Sequence, residues 1–428
     1  MQNSQILPLS PYQRMRMVEA ALDPETSDRY NAVHTYSWAA RFTPSFSPRK
    51  VQRAFKNLTT RHESLRLRIV EHRGDWAAEI LADHPAGLMI EDHGPMSHDD
   101  QLRLVAERCA VPMTALDPVL FEMRLLRFGP DGDIILFRAH HAVFDGYSIT
   151  IMMEEAVAAF LNIPVTGDTV THKEFVERRL RLSEQRPQEK ESYWEGALLP
   201  AADPLNVGRQ KKGLPPLTRR NLGPARPLEN VLSAEASARV RDFAQKTGAT
   251  PFAQIQAAFG DCLCAMGGAS EAMWMTIMGR QDAKLARFVG AEMQAVRMKY
   301  AIGSGAQAVA DTLRHGADML PARCFNADLP LGQLYFQFFV NMPKSRGRLK
   351  NSPLSKAVNF AEETGFSLGP ITITPVPTPF LTQPEFELQL HVEPSPDAPN
   401  AAFLAEASSW DMAELESLAK AMNDVIMS

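Results

Sequence analysis

Two adjacent histidines, His140 and His141, close an apolar run and are followed by Asp145 and Gly146 in the stretch FRAHHAVFDGYS, residues 137–148. An imidazole changes charge near neutral pH, so such a pair can act as a general base, ligate a metal, or simply satisfy backbone at a strand end. A metal fits poorly. His141 and Asp145 are four apart, but Gly146 and the preceding strand argue for a loop, and no further His, Cys or carboxylate nearby stands at ligand spacing. A lone histidine would be read as structural, but Asp145 and Gly146 weaken that reading here. Loops at strand ends are where α/β folds expose reactive side chains. Neighbours on a strand point to opposite sides, so one histidine can face a cleft while the other packs behind it. The glycine lets the backbone fold back tightly, and the aspartate can lock the loop through an arginine. A neutral imidazole held at a channel is what acyl transfer to an amine or alcohol requires.

The elements that must position this loop are legible on both sides of it. GDIILFRA, residues 132–139, is a short, strongly apolar strand running into the histidines. Beyond them, Ile149, Met152, Met153, Ala156, Val157 and Phe160 recur at helical spacing, so residues 148–162 read as a helix packed by that face. Upstream, Ser10, Pro11 and Gln13 mark a helix start with a capping box. Ser47 and Pro48 repeat that start before the apolar stripe Val51, Ala54, Phe55 and Leu58. In SLRLRIV, residues 64–70, Leu65, Leu67 and Ile69 alternate with Arg66 and Arg68, which reads as a strand. From about residue 183 to 226 proline, glycine and charge dominate around one helical island, ESYWEGAL, as in a connection between two folded units. A second α/β region follows. Its helix over residues 250–268 starts at Thr250 and Pro251 and stops at Gly267 and Gly268, AMWMTIM and LYFQFFV are strand candidates, and residues 411–426 form a last helix with a capping box from Asp411 to Glu414.

The 428 residues are 45% apolar and 22% charged with a formal net charge of -5, which excludes the basic field that nucleic acid or an anionic membrane surface requires. The four cysteines, Cys109, Cys262, Cys264 and Cys324, show neither CxxC pairing nor zinc spacing, and point to a reduced compartment. The N-terminus lacks the pattern of a secretory signal, and no run approaches the ~18 apolar residues of a membrane span, so a cytoplasmic protein is expected.

HHxxxDG, present as residues 140–146, resembles the signature of the condensation domains of nonribosomal peptide synthetases, in the chloramphenicol acetyltransferase-like superfamily. The resemblance runs along the chain. PLSPYQRMRM followed by YN is similar to the family's first motif, RHESLR (residues 61–66) matches RHExLR, and SYWEGAL, IMGR, FVGAEMQAVR and PEFELQLHV sit where the family carries its later motifs. Two segments depart: Glu292 and Gln294 replace the usual aromatic and asparagine after Gly290, and the PFE-type segment is reduced to ADLPLGQL. Those departures put substrate handling in doubt more than the chemistry.

The resemblance implies an α/β fold of two chloramphenicol acetyltransferase-like lobes, residues 1–180 with HHxxxDG and residues 181–428, forming a V-shaped pseudo-dimer with a tunnel between them. It implies a condensation enzyme of nonribosomal peptide or hybrid polyketide biosynthesis, an acyltransferase moving a carrier-bound acyl or peptidyl thioester to an amine or hydroxyl. His141 is the implied catalytic residue. Asp145 is implied to be structural and paired with an arginine, Arg66 being the best match, with His140 and Gly146 shaping the loop and Arg61 and Trp194 packing. No metal and no tightly bound cofactor are implied; phosphopantetheine arrives on an acyl or peptidyl carrier protein, the acceptor being carrier-bound or a small molecule. A free-standing monomer is expected, because the chain starts just before the first motif and ends after the last helix. The rival readings are an acyltransferase using coenzyme A or a soluble acceptor, and an inactive docking module that recruits a synthetase.

Overall fold

The computed structural model describes residues 4–22, 34–167, 169–198, 205–215, 217, 223–278, 283–316, 337–341, 366–368, 370–378, 384, 386–393 and 398–428. The chain opens with β1 (Gln5–Pro8), α1 (Pro11–Leu22), β2 (Thr35–Thr43), α2 (Pro48–Arg61), β3 (Leu67–His72) and β4 (Asp75–Ile80). There follow β5 (Met89–Asp92), α3 (His98–Ala110), β6 (Phe121–Arg127), β7 (Asp133–His140) and α4 (Gly146–Phe160). Helices α5 (His172–Glu184), α6 (Pro187–Leu198) and α7 (Gly208–Lys211) lead to β8 (Ala225–Leu228), α8 (Ala234–Thr247) and α9 (Pro251–Gly267). The last stretch carries β9 (Glu271–Met278), β10 (Gln294–Ala301), α10 (Gly305–Gly316), β11 (Phe338–Asn341), β12 (Phe366–Leu368), β13 (Ile371–Val376), β14 (Leu388–Glu393), β15 (Asn400–Glu406) and α11 (Met412–Met427).

These elements form two compact units. The first comprises Met1–Leu182 with the described parts of Asp282–Glu292 and Lys344–Phe380; the second holds the rest. The first unit is built on a six-stranded sheet of order β12-β13-β2-β7-β6-β5, in which only β5 and β6 run parallel, and a small antiparallel sheet β1-β4-β3. Strand β7 lies between β2 and β6, and every one of its residues is buried. Its alternation explains why. Ile135, Phe137 and Ala139 join the main core with Trp38, Phe42 and Phe121, while Ile134 and Leu136 join a second cluster with Val105, Leu126 and Phe128. A strand covered on both faces needs a nearly continuous apolar run, which is what GDIILFRA supplies.

The stripe expected on α4 is borne out: Ile149, Met152, Met153, Ala156, Val157 and Phe160 are all buried in the main core. Each of these side chains except Ala156 contributes ~1.5–3 kcal/mol on burial. Phe160 stacks on Phe46 at a centroid distance of 4.2 Å, which pins the far end of the helix. The strand expected over SLRLRIV begins later than its alternation suggests. Glu63–Arg66 form a 3-10 turn and β3 starts at Leu67, although Leu65, Leu67 and Ile69 are all buried. The alternation marked a buried side correctly, but the Leu65 N–H bonds to the His62 carbonyl at 3.1 Å and the Leu67 N–H to that of Ser64, which closes the turn.

The second unit has a six-stranded sheet of order β10-β9-β11-β14-β15-β8, with β11 parallel to both neighbours and the other pairs antiparallel. Helix α9 packs on it through Phe252, Ile255, Phe259 and Cys262, and ends at Gly268 in the left-handed conformation. Gly260 is required by close approach, since a Cβ there would stand 2.5 Å from the Tyr300 ring and 2.9 Å from Trp274. Cys109, Cys262 and Cys264 are buried free thiols, and the capping box from Asp411 to Glu414 is formed. Among the described residues no helix is long and apolar enough to cross a membrane.

Candidate active site

Strand β7 ends at His140, and residues 141–143 turn the chain into α4. Pairing of β2 with β7 sets Thr35 opposite His140, which brings His34 beside the turn. The backbone N–H of His141 donates to the His34 carbonyl at 2.7 Å, and that of His140 to the Leu120 carbonyl at 2.9 Å. Within the turn, the Ala142 N–H donates to His140 Nδ1 at 3.1 Å and the Val143 N–H to the His140 carbonyl at 3.0 Å. Helix α1 completes the seat. Its expected capping box is formed between Ser10 and Gln13, and the Gln13 side chain extends it by donating to the Ala142 carbonyl at 3.0 Å.

The two histidines have different environments. His140 is fully buried, whereas His141 keeps partial exposure. Burial, the neighbouring His141 and the Arg16 charge push the His140 imidazole down to about 3. Burial and Arg16 push His141 down to about 4, against the opposing charge of Asp145. Both rings are therefore neutral at pH 7. The Tyr12 and His34 rings stand edge-on to His141, at centroid distances of 6.5 and 6.2 Å. Arg16 Nη1 contacts His34 Nε2, and the guanidinium lies 4.9 Å above the Tyr12 ring. Despite three histidines close together, the described residues contain no group of His, Cys, Asp or Glu arranged to hold a metal ion.

Asp145 is the N-cap of α4. Its Oδ1 accepts from the Ser148 N–H at 2.9 Å and from Ser148 Oγ at 2.7 Å, closing a capping box, and its Oδ2 accepts from the Glu292 N–H at 3.2 Å. Ser148 Oγ also accepts from the Gly290 N–H at 2.9 Å. The degraded segment around Gly290 is thus bonded to the head of α4. The Glu292 side chain is buried and pairs with Arg179 at 3.5 Å. Gly146 is the first residue of α4 and has no positive φ, so the conformational freedom expected of it is not used.

The expected pair between Arg66 and Asp145 is not formed. Arg66 Nε donates to the Thr59 carbonyl at 3.0 Å, Nη1 to the Leu81 carbonyl, and Nη2 stands 3.9 Å from Glu63. The physical reason is the 3-10 turn over Glu63–Arg66, which points the guanidinium at the end of α2 rather than at α4. The motif instead meets α4 through Glu155. Arg61 Nε approaches Glu155 at 3.2 Å, His62 Nε2 donates to it at 2.9 Å and Arg287 Nη2 at 2.8 Å. Burial raises the Glu155 carboxyl, but these donors outweigh it and hold the group at about 2. Glu63 accepts from the His172 N–H at 2.8 Å at the start of α5. Trp194 falls in α6, and its side chain lies outside the described residues, as do the YN pair, Gly279, Arg280, ADLPLGQL and Cys324. Sequence reasoning missed His34, Arg16 and Glu155. His34 carried no motif, Arg16 lay inside the PLSPYQRMRM motif but was given no role, and Glu155 lay within a helix read for its apolar stripe.

The condensation-domain family model matches residues 3–428. Phosphinothricin tripeptide synthetase PhsC of Streptomyces viridochromogenes is 25% identical over 346 residues, 78% of this chain and 31% of that protein. The chain spans less than a third of the curated relatives it matches. Among solved structures, the first condensation domain of the calcium-dependent antibiotic synthetase, in complex with a substrate analogue, superposes with a TM-score of 0.69 at 15% identity, over 99% of this chain and 96% of that one. The X-domain solved in complex with OxyB from teicoplanin biosynthesis gives 0.73 at 16% identity, over 100% and 95%.

Proposed function

The chain belongs to the condensation-domain family, and from that premise we propose that it forms an amide or ester by transferring an acyl or peptidyl group from a carrier-bound thioester to an amine or hydroxyl. The observation that carries the reading is His141: a neutral, partly exposed imidazole fixed by backbone bonds at the end of a buried strand. The acceptor nitrogen or oxygen attacks the thioester carbonyl carbon, the C–S bond breaks, and the pantetheine thiol leaves. His141 orients the nucleophile, takes its proton, and the proton then passes to the departing thiolate. A free α-amine has a pKa of about 7.7–8.0, so a useful fraction is already nucleophilic at neutral pH and positioning suffices. An alcohol has no such fraction and needs the base itself.

Asp145, His140 and Gly146 hold the loop and do not touch substrate on this reading; Arg61 supports it through Glu155 on α4. The donor pantetheine is attached to an acyl or peptidyl carrier protein, and the acceptor is carrier-bound or free. The test is a reconstitution of the purified protein with carrier-bound donors and amine or alcohol acceptors, with the product detected by mass. Product from carrier-bound donors supports the reading. Product only from coenzyme A thioesters moves the protein to the soluble acyltransferases, and no product from either donor favours a docking module.

A further inference from the structure

Three segments converge on His141: the turn that carries it, His34 just before β2, and α1 with Tyr12, Gln13 and Arg16. Gln13 and His34 make hydrogen bonds to the turn itself. Arg16 does something different. It contacts the ring nitrogen Nε2 of His34, so that nitrogen accepts and the His34 proton sits on Nδ1. The His34 ring, which that guanidinium contacts, is 6.2 Å from the His141 ring and 6.3 Å from the His140 ring. Among the described residues, the other titratable and charged groups around His141 are Tyr12 from α1, His34 just before β2, His140 and Asp145 from its own loop, and Glu292, which is paired with Arg179, beside Asp145. Among the described residues, Arg16 is the charged side chain whose guanidinium lowers both imidazoles.

We propose that Arg16 is a positioning residue that also sets the charge of the site: through His34 it seats His141, and its guanidinium opposes protonation of any base lying beside His141. The consequence reaches the acceptor. An ammonium bound next to His141 meets the same cation that opposes an imidazolium, so its proton is lost at lower pH than in water and more of it is nucleophilic at neutral pH. A unit charge beside a partly buried site moves a pKa by about one unit, and here the guanidinium borders the site through the His34 and Tyr12 rings that flank His141. The direction agrees with Arg16 acting to lower both His140 and His141.

This inference rests on the proposed reaction for its effect on the acceptor, but its effect on His141 does not. Two measurements keep the two apart. The first is the His141 titration by NMR in wild type, Arg16→Lys and Arg16→Met, with melting curves to establish that each variant is folded. Arg16→Met is expected to raise the His141 titration by about one pH unit, while Arg16→Lys keeps the charge and stays close to wild type. A His141 titration unchanged in a folded Arg16→Met protein overturns the proposal. The second is the single-turnover rate against pH with an amine acceptor. The acidic limb in Arg16→Met is expected to move upward by about one unit toward the amine's solution value, whereas Arg16→Lys keeps its position and loses rate through the poorer contact with His34. Equal limbs in wild type and Arg16→Met overturn the effect on the acceptor. A wild type that makes no product, with the NMR shift still following Arg16, leaves the charge assignment standing and removes the condensation reading.

Discussion

At the scale of single residues, His141 and Asp145 have separable tasks. With an alcohol acceptor, His141→Ala is expected to lower the single-turnover rate by ~10²–10⁴-fold, the usual range for general-base help. With an amine the loss is smaller and shrinks as pH rises through the amine's pKa. Because His141 sits at about 4, its base form is complete well below neutrality, so the wild-type rate with an alcohol should not show a midpoint near 6.5. A pH–rate profile with a midpoint there contradicts a neutral imidazole at His141. Asp145 is an N-cap rather than half of an ion pair with Arg66. Asp145→Ala is expected to cost ~1–2 kcal/mol of stability through the lost cap, and Asp145→Asn, which keeps an acceptor oxygen, much less. Thermal melts of the two variants decide it; equal melting temperatures would remove the capping account.

At the scale of elements, α4 is held at its two ends by different chemistry. Its head is tied to the Gly290 segment through Ser148 and Asp145, and its body to the RHExLR segment through Glu155. The Glu155 carboxyl is depressed in the folded state, so its stabilisation is fully present above about pH 4.5 and is lost as pH falls toward about 2. Glu155→Leu leaves Arg61, His62 and Arg287 without their shared acceptor and is expected to cost ~3–5 kcal/mol, the usual result of breaking a buried charged pair. Chemical denaturation at pH 7 checks the size. Repeating it near pH 3 checks the sign, because the gap between wild type and variant must narrow there.

At the scale of the whole molecule, the two units carry different acid-base loads. The first holds His140, His141 and His172, pushed down to about 3, 4 and 4, chiefly by burial. A histidine depressed in the folded state stabilises fully above its unfolded pKa of about 6.5 and progressively less as pH falls toward the folded value. Three such groups give a slope of up to ~4 kcal/mol per pH unit near pH 5.5. In the second unit, His391 is pushed down to about 4 by burial, while Glu387, also buried, is pushed up to about 7. Glu387 gains stability as pH falls from about 7 toward 4.5, and His391 loses it over nearly the same window, so the two offset. Peptide-resolved hydrogen exchange at pH 7 and pH 5.5, corrected for intrinsic rates, should therefore show the first unit loosening and the second nearly unchanged. Equal loosening of both units would contradict this assignment.

The sequence alone determined what depends on near neighbours. The alternation of β7, the helical stripe of α4, the capping boxes at Ser10 and Asp411 and the stop at Gly268 all rest on residues a few positions apart, and the structure forms them as read. HHxxxDG was legible as a place where chemistry could happen for the same reason. Only the tertiary structure decided which partners reach it. His34 enters because β2 pairs with β7, Gln13 and Arg16 because α1 lies against the turn, and the Gly290 segment because it returns from far along the chain to the head of α4. The Arg66 expectation failed on the same ground. Spacing states that an arginine is present, but the 3-10 turn after α2 decides where its guanidinium points, and it points to the Thr59 and Leu81 carbonyls. Backbone geometry over a few residues is written locally in the chain, whereas the direction of a long side chain is set by whichever distant group packs beside it.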